Sequence, residues 1–189
     1  MSPADHDPAS LDLPAVWDLA WRAQRAIYTT RHHGLEHWVR VERNGLWIAS
    51  RLEEEATGAV DLLVVRLFAA LHDCQRRDDG YDWAHGPRAA DFILGLDLPL
   101  ERDRLERLVT AVRTHTDGPT ESDDLTIQVC HDADRLDLGR VWIRPSADFL
   151  NTAPARELAR RDAEQELDRH TLDVTLPEWL RATPRWDRR

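Results

Sequence analysis

The feature that most constrains this chain is the segment "VDLLVVRLFAALHDC", residues 60–74. It is apolar on nearly every side of a helix, and such a helix has to be enclosed by other elements. We therefore predict that it is the central helix of the fold. The segment ends in the polar pair His72-Asp73, for which a buried apolar helix has little structural use.

Apolar residues at helical spacing predict further helices on both sides of this segment. A helix begins at Leu13, and others cover residues 35–54, 87–95, 100–114, 122–137 and 155–170. The connection "RRDDGYDWAHGP" is rich in turn formers, and the strand-like stretch "LTIQV" has neighbours that favour helix. The sequence has no βαβ alternation, no Gly-rich phosphate loop and no repeat. We predict an all-α fold, a bundle of about six to eight helices.

The length of 189 residues suits one domain. We expect a loose N-terminal tail at residues 1–10, a single helical domain at 11–175 and a C-terminal tail at 176–189. No apolar run approaches the roughly 20 residues that a membrane-spanning helix needs. The stretch "MSPADHDPAS" lacks the basic and apolar regions of a signal peptide. We therefore expect a cytoplasmic protein with no membrane partner.

The net charge of −10 disfavours non-specific binding to duplex nucleic acid, which relies on a basic surface. It leaves room for a small phosphorylated substrate held by a few arginines. All 25 basic residues are arginine, so no lysine can act as a Schiff base. The cysteines, Cys74 and Cys130, form no CxxC pattern, and we expect two thiols rather than a cysteine-based zinc site. The sequence does not indicate the oligomeric state.

Residues that bind metals recur near the ends of successive predicted helices. They are His37, His72-Asp73, His85, His115 and Asp134. Different elements carry them, as in helical metal sites whose ligands converge on the bundle interior. A single His-Asp pair is as well explained by a buried histidine beside a charge. The number and order of these residues favour a metal site.

The order of these residues resembles that of the HD-domain superfamily of metal-dependent phosphohydrolases, over about residues 33–140. The matching motifs are "HWVRV", "LHD", "HGPRAA", "RTH" and "DADRLDLGR". The resemblance implies a first metal held by His37, His72, Asp73 and Asp134. It also implies that Asp73 bridges to a second metal held by His85 and His115, which in single-metal relatives would face the substrate phosphate.

The segment "HDCQRRDDGYDWAHGPRAA" further resembles an HD subgroup with the pattern H-D-x-x-R-x-x-D-G…H-G. This adds Arg76 as a bidentate phosphate ligand and Asp79 as a residue that orients Arg76 or a bound water. An ordinary surface Arg-Asp pair is the competing interpretation. Arg88 is a second candidate phosphate ligand. The chain lacks a lysine shortly after the His-Asp pair and a G-Y-P motif, so we do not expect cyclic dinucleotide hydrolysis.

The resemblance implies a hydrolase that uses one or two divalent transition metal ions, Mn, Fe, Co, Ni or Zn. The metal would lower the pKa of a bound water to about 7–9, and the hydroxide would attack a nucleotide or other small phosphate ester. Arg76 would stabilise the phosphate charge, and Asp73 or Asp79 would act as general base. Two other functions stay open: a two-iron centre that activates oxygen, and a non-enzymatic regulatory domain that binds a nucleotide.

A competing motif is "HGLEH", which matches the H-x-x-E-H pattern of inverted zinc proteases. There His33 and His37 would bind zinc and Glu36 would be the base. This hypothesis leaves His72-Asp73 unexplained, and the HD resemblance explains it. Outside that motif, we expect His32 and His33 near the surface at a helix start, where one of them could reach the mouth of the site.

The predicted helix 122–137 offers several carboxylates. His131-Asp132 is a second literal "HD", but we choose Asp134 as the ligand because "DADRLD" matches the superfamily there. Asp137 is expected to pair with Arg140 three residues later.

Overall fold

The computed structural model describes residues 11–54, 59–117 and 122–165, with side chains up to residue 161. Within these ranges the chain forms seven α-helices, two short 3₁₀ turns and no strand. The helices are α1 Leu13–Ile27, α2 Leu35–Glu54, α3 Leu62–Leu71, α4 His85–Leu94, α5 Arg102–Thr114, α6 Leu125–Arg135 and α7 Ala153–Gln165. The all-α prediction is confirmed. The predicted tails and the end of the predicted helix 155–170 lie outside the described residues.

The start of α3 is fixed by a side-chain cap. The carboxylate of Asp61 accepts hydrogen bonds from the backbone N–H groups of Leu63 and Val64, at 3.1 and 3.3 Å. Such a cap stabilises a helix by about 1 kcal/mol. Asp124 caps α6 in the same way. The helix α3 ends at Leu71, earlier than predicted, and the chain continues from there in turns.

The helix α3 lies at the centre of the molecule, as predicted. It packs against α1, α2, α5 and α6. Its buried side chains are Val64, Val65, Leu67, Phe68, Ala69, Ala70 and Leu71. A helix enclosed in this way delivers the residues that follow it to the interior, which is where His72 and Asp73 lie. None of the described helices is both long and apolar enough to cross a membrane.

Two helix pairs approach closely because glycine stands at the contact. A Cβ on Gly45 of α2 would lie 2.5 Å from Cγ1 of Val65 on α3. A Cβ on Gly86 of α4 would lie 2.8 Å from the carbonyl oxygen of Val112 on α5. The second contact lets the start of α4 lie directly against the end of α5.

Candidate metal centre

The structure brings all six predicted ligands together in one buried cluster. His37 comes from α2, and His72 and Asp73 from the turn that ends α3. The other three stand at the start of α4, just after α5 and near the end of α6; they are His85, His115 and Asp134. All six are buried.

A first group of ligand atoms surrounds Nε2 of His37. This nitrogen lies 3.1 Å from Nε2 of His72, 3.5 Å from Oδ2 of Asp73 and 3.3 Å from Oδ1 of Asp134. Two ligand atoms that each lie about 2.1 Å from one metal are about 3 Å apart when they meet it at a right angle. The spacing of the first group therefore fits a single metal ion.

A second group forms on the other oxygen of Asp73. Its Oδ1 lies 2.9 Å from Nε2 of His85 and 3.7 Å from Nε2 of His115. The two ring nitrogens are 2.8 Å apart. Asp73 thus directs one oxygen to each group, which is the orientation that a bridging ligand needs.

The tautomers of these rings are set by backbone carbonyls. Nδ1 of His72 lies 3.1 Å from the carbonyl oxygen of Phe68, and Nδ1 of His115 lies 2.7 Å from that of Val112. Nδ1 of His85 lies 2.5 Å from a carbonyl oxygen as well. A ring nitrogen that donates to a carbonyl carries the proton, so Nε2 is left with a lone pair directed into the cluster. Facing lone pairs on His85 and His115 fit a cation between them.

The charges of the first group also favour a cation. Burial lowers the pKa of His72 to about 3. Burial and the charge of Arg140 would also lower the pKa of His37, but hydrogen bonds to carboxylates raise the pKa of that ring to about 9. Burial would raise the pKa of Asp73 and Asp134, yet the histidines around Asp73 and the Arg140 guanidinium beside Asp134 hold both pKa values well below their usual range. The cluster therefore keeps its carboxylates ionised, and the proton on His37 lies where a metal cation would replace it.

Asp137 supports the cluster from behind. Its Oδ2 lies 2.7 Å from Nδ1 of His37, and its Oδ1 accepts a 2.6 Å hydrogen bond from Nε of Arg40. The pairing with Arg140 predicted from the sequence is a longer contact, at 4.0 Å. Orienting His37 is the main role of this carboxylate, and the sequence pattern did not indicate it.

His33 is a member of the cluster that the sequence placed near the surface. It is buried, and its Nδ1 lies 3.1 Å from Oδ2 of Asp73. Burial lowers its pKa, against the opposing effect of that carboxylate. The sequence indicated this role only in part. His33 stands just ahead of α2, where we expected a histidine to reach the mouth of the site.

Asp79 is not brought to the metal ligands, in contrast to its predicted role there. Its carboxylate accepts hydrogen bonds from the backbone N–H groups of Arg31 and His32, at 2.8 and 3.3 Å, and from the hydroxyls of Tyr28 and Thr30. Four donors from one short loop occupy it. Asp79 therefore folds the loop that precedes α2 and thereby carries His33 inwards.

Arg76 lies at the cluster, but most of its guanidinium is used by the protein itself. Nη1 lies 3.5 Å from Oδ1 of Asp73 and 3.1 Å from Nε2 of His85. Nε and Nη2 donate to the carbonyls of Asp78 and Gly80, at 3.2 and 2.8 Å. Its placement holds the loop after α3 against the cluster, and each of its three guanidinium nitrogens already contacts a protein atom.

Arg88 lies away from the cluster. Its Nη2 donates to the carbonyl of Gln75 at 3.0 Å and to the carboxylate of Asp82 at 2.5 Å. In the sequence it was a second candidate phosphate ligand, within the motif "HGPRAA". One helical turn separates Arg88 from His85, and the side chain of Arg88 folds back onto the preceding loop.

Burial and contacts decide against the protease pattern and between the two candidate carboxylates of α6. Glu36, the base of the protease pattern, is exposed, and His33 precedes α2 instead of sharing a helical face with His37. Asp132 accepts hydrogen bonds from the backbone N–H groups of Asn151 and Thr152, at 2.8 Å each. It therefore anchors the chain ahead of α7, and Asp134 is the carboxylate of α6 that reaches the cluster.

No protein-family model matches this chain, and no curated protein matches it. A solved structure does: the crystal structure of a predicted HD superfamily hydrolase from an uncultured Thermotogales bacterium is similar, with a TM-score of 0.57. The two chains share 26% identity over 80% of this chain and 83% of the other. The resemblance to the HD superfamily is confirmed by this likeness together with the buried cluster of histidines and aspartates.

Proposed function

We propose that the protein is a metal-dependent phosphohydrolase that acts on a nucleotide or another small phosphate ester. The observation that carries the proposal is a pair of ligand groups that share the carboxylate of Asp73. Similarity to a predicted HD superfamily hydrolase supports it.

The first group would hold one divalent transition metal through His37, His72, Asp73 and Asp134. The second would hold another through Asp73, His85 and His115. Imidazole and carboxylate ligands in one site suit Mn, Fe, Co, Ni or Zn. When bound, such metals supply a water acidic enough to react near neutral pH and positive charge that neutralises phosphoryl oxygens.

The residues of the chain prepare the site in separate ways. Asp137 and the backbone carbonyls fix the ring orientations, so the Nε2 atoms already face inwards. If the site holds one ion, Oδ1 of Asp73 would be the oxygen that accepts a proton from water, and His85 and His115 would face the phosphate. If the site holds two ions, Asp73, His85 and His115 would together hold the second.

A second candidate function rests on the same bridging carboxylate. A centre in which one aspartate joins two histidine-containing groups also suits a pair of iron ions that activate oxygen. The absorption spectrum of an iron-loaded sample, recorded under nitrogen and then in air, separates the two functions. A stable spectrum together with release of phosphate from esters favours hydrolysis. A regulatory domain without chemistry is disfavoured because the ligand set is complete.

The proposal is tested by elemental analysis of the wild type, Asp73→Ala and His115→Ala, each purified without added metal and checked for helicity by circular dichroism. We expect about two equivalents in the wild type, a loss of both in Asp73→Ala and a loss of about one in His115→Ala. The exposed Asp91 pairs with Arg113, so Asp91→Ala is a matched control that should keep its metal.

Phosphatase screening with nucleoside monophosphates and p-nitrophenyl phosphate follows with the metal found. A folded wild type that binds no metal after loading with Mn, Fe or Ni would rule out the hydrolase mechanism. His72 and Asp73 would then be a buried structural pair.

A further inference from the structure

We propose that Arg140 is a ligand of the substrate phosphate, a role that rests on the proposed hydrolase function. Arg140 stands in the 3₁₀ turn Leu138–Val141 that follows α6. Its Nη2 lies 3.3 Å from Oδ1 of Asp134 and 3.3 Å from Nδ1 of His33. The guanidinium therefore borders the first ligand group directly.

The guanidinium of Arg140 has donors that nothing in the protein accepts. Its Nε and Nη1 are buried and have no hydrogen-bond partner. The carboxylate of Asp137 is 4.0 Å from Nη1 and already accepts from His37 and Arg40. Buried N–H groups of a charged side chain are strongly disfavoured without an acceptor, so this arrangement indicates a ligand that supplies one.

The other candidate arginines lack this property. Arg76 and Arg88 donate to backbone carbonyls and carboxylates of their own loop. Within residues 11–54, 59–117 and 122–161, buried guanidinium nitrogens without a partner occur on Arg140 and Arg66. Arg66 has Glu42 at 3.8 Å and a side chain that is 43% exposed, whereas that of Arg140 is 8% exposed. Arg140 alone among these combines unpaired donors with contact to the cluster.

Metal binding would strengthen the need for an anion. A cation held by His37 and Asp134 would bind the carboxylate oxygen that Nη2 of Arg140 now contacts. Arg140 would then lose that contact. Nδ1 of His33 is directed at Asp73, 3.1 Å away, and a nitrogen that donates there cannot also accept from Arg140. Two positive centres would then face each other. A phosphate between them would offer two oxygens to the guanidinium fork and another to the metal.

The backbone after Arg140 forms a tight turn. Trp142 adopts φ 60°, a left-handed conformation that is uncommon for a bulky residue. The backbone N–H groups of Trp142 and Ile143 donate to the carbonyls of Gly139 and Leu138, at 3.1 and 3.2 Å. These bonds close the turn beneath Arg140. Strained backbone of this kind is concentrated at functional sites.

The test is calorimetric binding of inorganic phosphate to Mn-loaded protein, with the metal content of every sample measured first. We expect Arg140→Gln to weaken phosphate binding about 10- to 100-fold, because it removes a charge-assisted bidentate contact. Arg140→Lys keeps the charge but not the fork, so it should recover only part of the affinity. Arg88→Gln is the comparison variant and should match the wild type within about twofold, because the Arg88 guanidinium contacts Gln75 and Asp82 instead of the cluster.

Unchanged phosphate affinity in Arg140→Gln would overturn the assignment, as would a larger loss in Arg88→Gln. Loss of manganese from Arg140→Gln would also overturn it, because Arg140 would then position Asp134 instead of contacting substrate. A wild type that binds phosphate through Arg140 but cleaves no ester would support the phosphate site and defeat the hydrolase function. A Mn-loaded wild type that binds no phosphate would defeat the Arg140 assignment itself.

Discussion

Asp137 lies 2.7 Å from Nδ1 of His37, and this hydrogen bond turns Nε2 of the same ring towards His72 and Asp134. Arg40 holds the other oxygen of Asp137 at 2.6 Å. A carboxylate behind a metal-binding histidine fixes the tautomer and the orientation of the ring, and it raises the basicity of the ligand nitrogen. Asp137 therefore acts on the candidate metal without touching it.

Asp137→Asn should weaken metal binding while the fold is retained. The amide keeps the shape of the side chain but removes the charge that supports His37 and Arg40. Loss of such a supporting carboxylate lowers metal affinity about 10- to 100-fold. The measurement is competition between the protein and a coloured chelator for Zn²⁺ or Mn²⁺. Asp91→Asn changes an exposed carboxylate of α4 and should bind metal like the wild type; equal affinities in both variants would show that Asp137 has no such role.

The helical fold was readable from the sequence because its cause is local. A segment that is apolar on nearly every side can only be buried, and α3 is enclosed by its neighbours as predicted. The boundaries were less accurate. His72 and the next residues continue α3 as turns, and α4 begins at His85 instead of residue 87. Helix ends depend on caps and on packing against other helices, which periodicity does not contain.

The candidate ligands were readable because each stands at or near the end of its own helix. What sequence alone missed depends on contacts between distant parts of the chain. Asp79 was placed in the site by the resemblance to the pattern H-D-x-x-R-x-x-D-G, but it binds a loop nearly 50 residues earlier. His33 was expected near the surface, and that same loop buries it against Asp73. No local pattern encodes such a contact.

Asp79→Asn should reduce the stability of the fold more than it reduces the reaction rate. The N–H groups of Arg31 and His32 bond to different oxygens of Asp79, and the amide retains only one acceptor oxygen, so we expect a loss of about 1–2 kcal/mol in the free energy of unfolding. Removal of a general base costs about 10²- to 10⁴-fold in rate, and we expect less than about 10-fold here. Urea unfolding and kcat on the same samples check both values. A rate loss of general-base size at unchanged stability would return Asp79 to the catalytic role first predicted for it.

Gly86→Ala should move the ligands of the second group away from one another. The added Cβ would meet the carbonyl oxygen of Val112 at 2.8 Å and Cε1 of His115 at 3.2 Å, so α4 has to move away from α5. Overpacking of this kind costs about 1–3 kcal/mol. His85 would move with α4, and the wild-type metal content should fall by about one ion while the first group keeps its own. Urea unfolding and elemental analysis measure the two effects.

Gly95→Ala is the matched control for this change. Gly95 closes the same helix in a right-handed conformation, and its added Cβ would meet only carbonyls of the preceding turn, the nearest at 3.3 Å. We expect wild-type metal content in this variant. If Gly86→Ala also keeps the full metal content, then close packing of α4 on α5 is not what holds His85 and His115 together.

The pH dependence of stability should depend on His131, a buried histidine outside the ligand groups. Its Nε2 lies 2.9 Å from the carbonyl oxygen of Ala111, and burial lowers its pKa from 6.5 to about 4. The unfolded chain therefore takes up the proton first. The stabilisation is complete above pH 6.5, and it is lost as the pH falls towards 4. Over the full range it amounts to about 3 kcal/mol.

His131→Gln should flatten this dependence, because glutamine can still donate to the carbonyl of Ala111 but does not titrate. Between about pH 7 and 5 the wild type should lose about 2 kcal/mol more than the variant in its free energy of unfolding. Urea unfolding in the presence of a chelator measures this difference without a contribution from metal. His32→Gln removes a histidine that is only half-buried and should keep the wild-type slope. Equal slopes in the wild type and His131→Gln would mean that His131 is not the group whose protonation destabilises the fold.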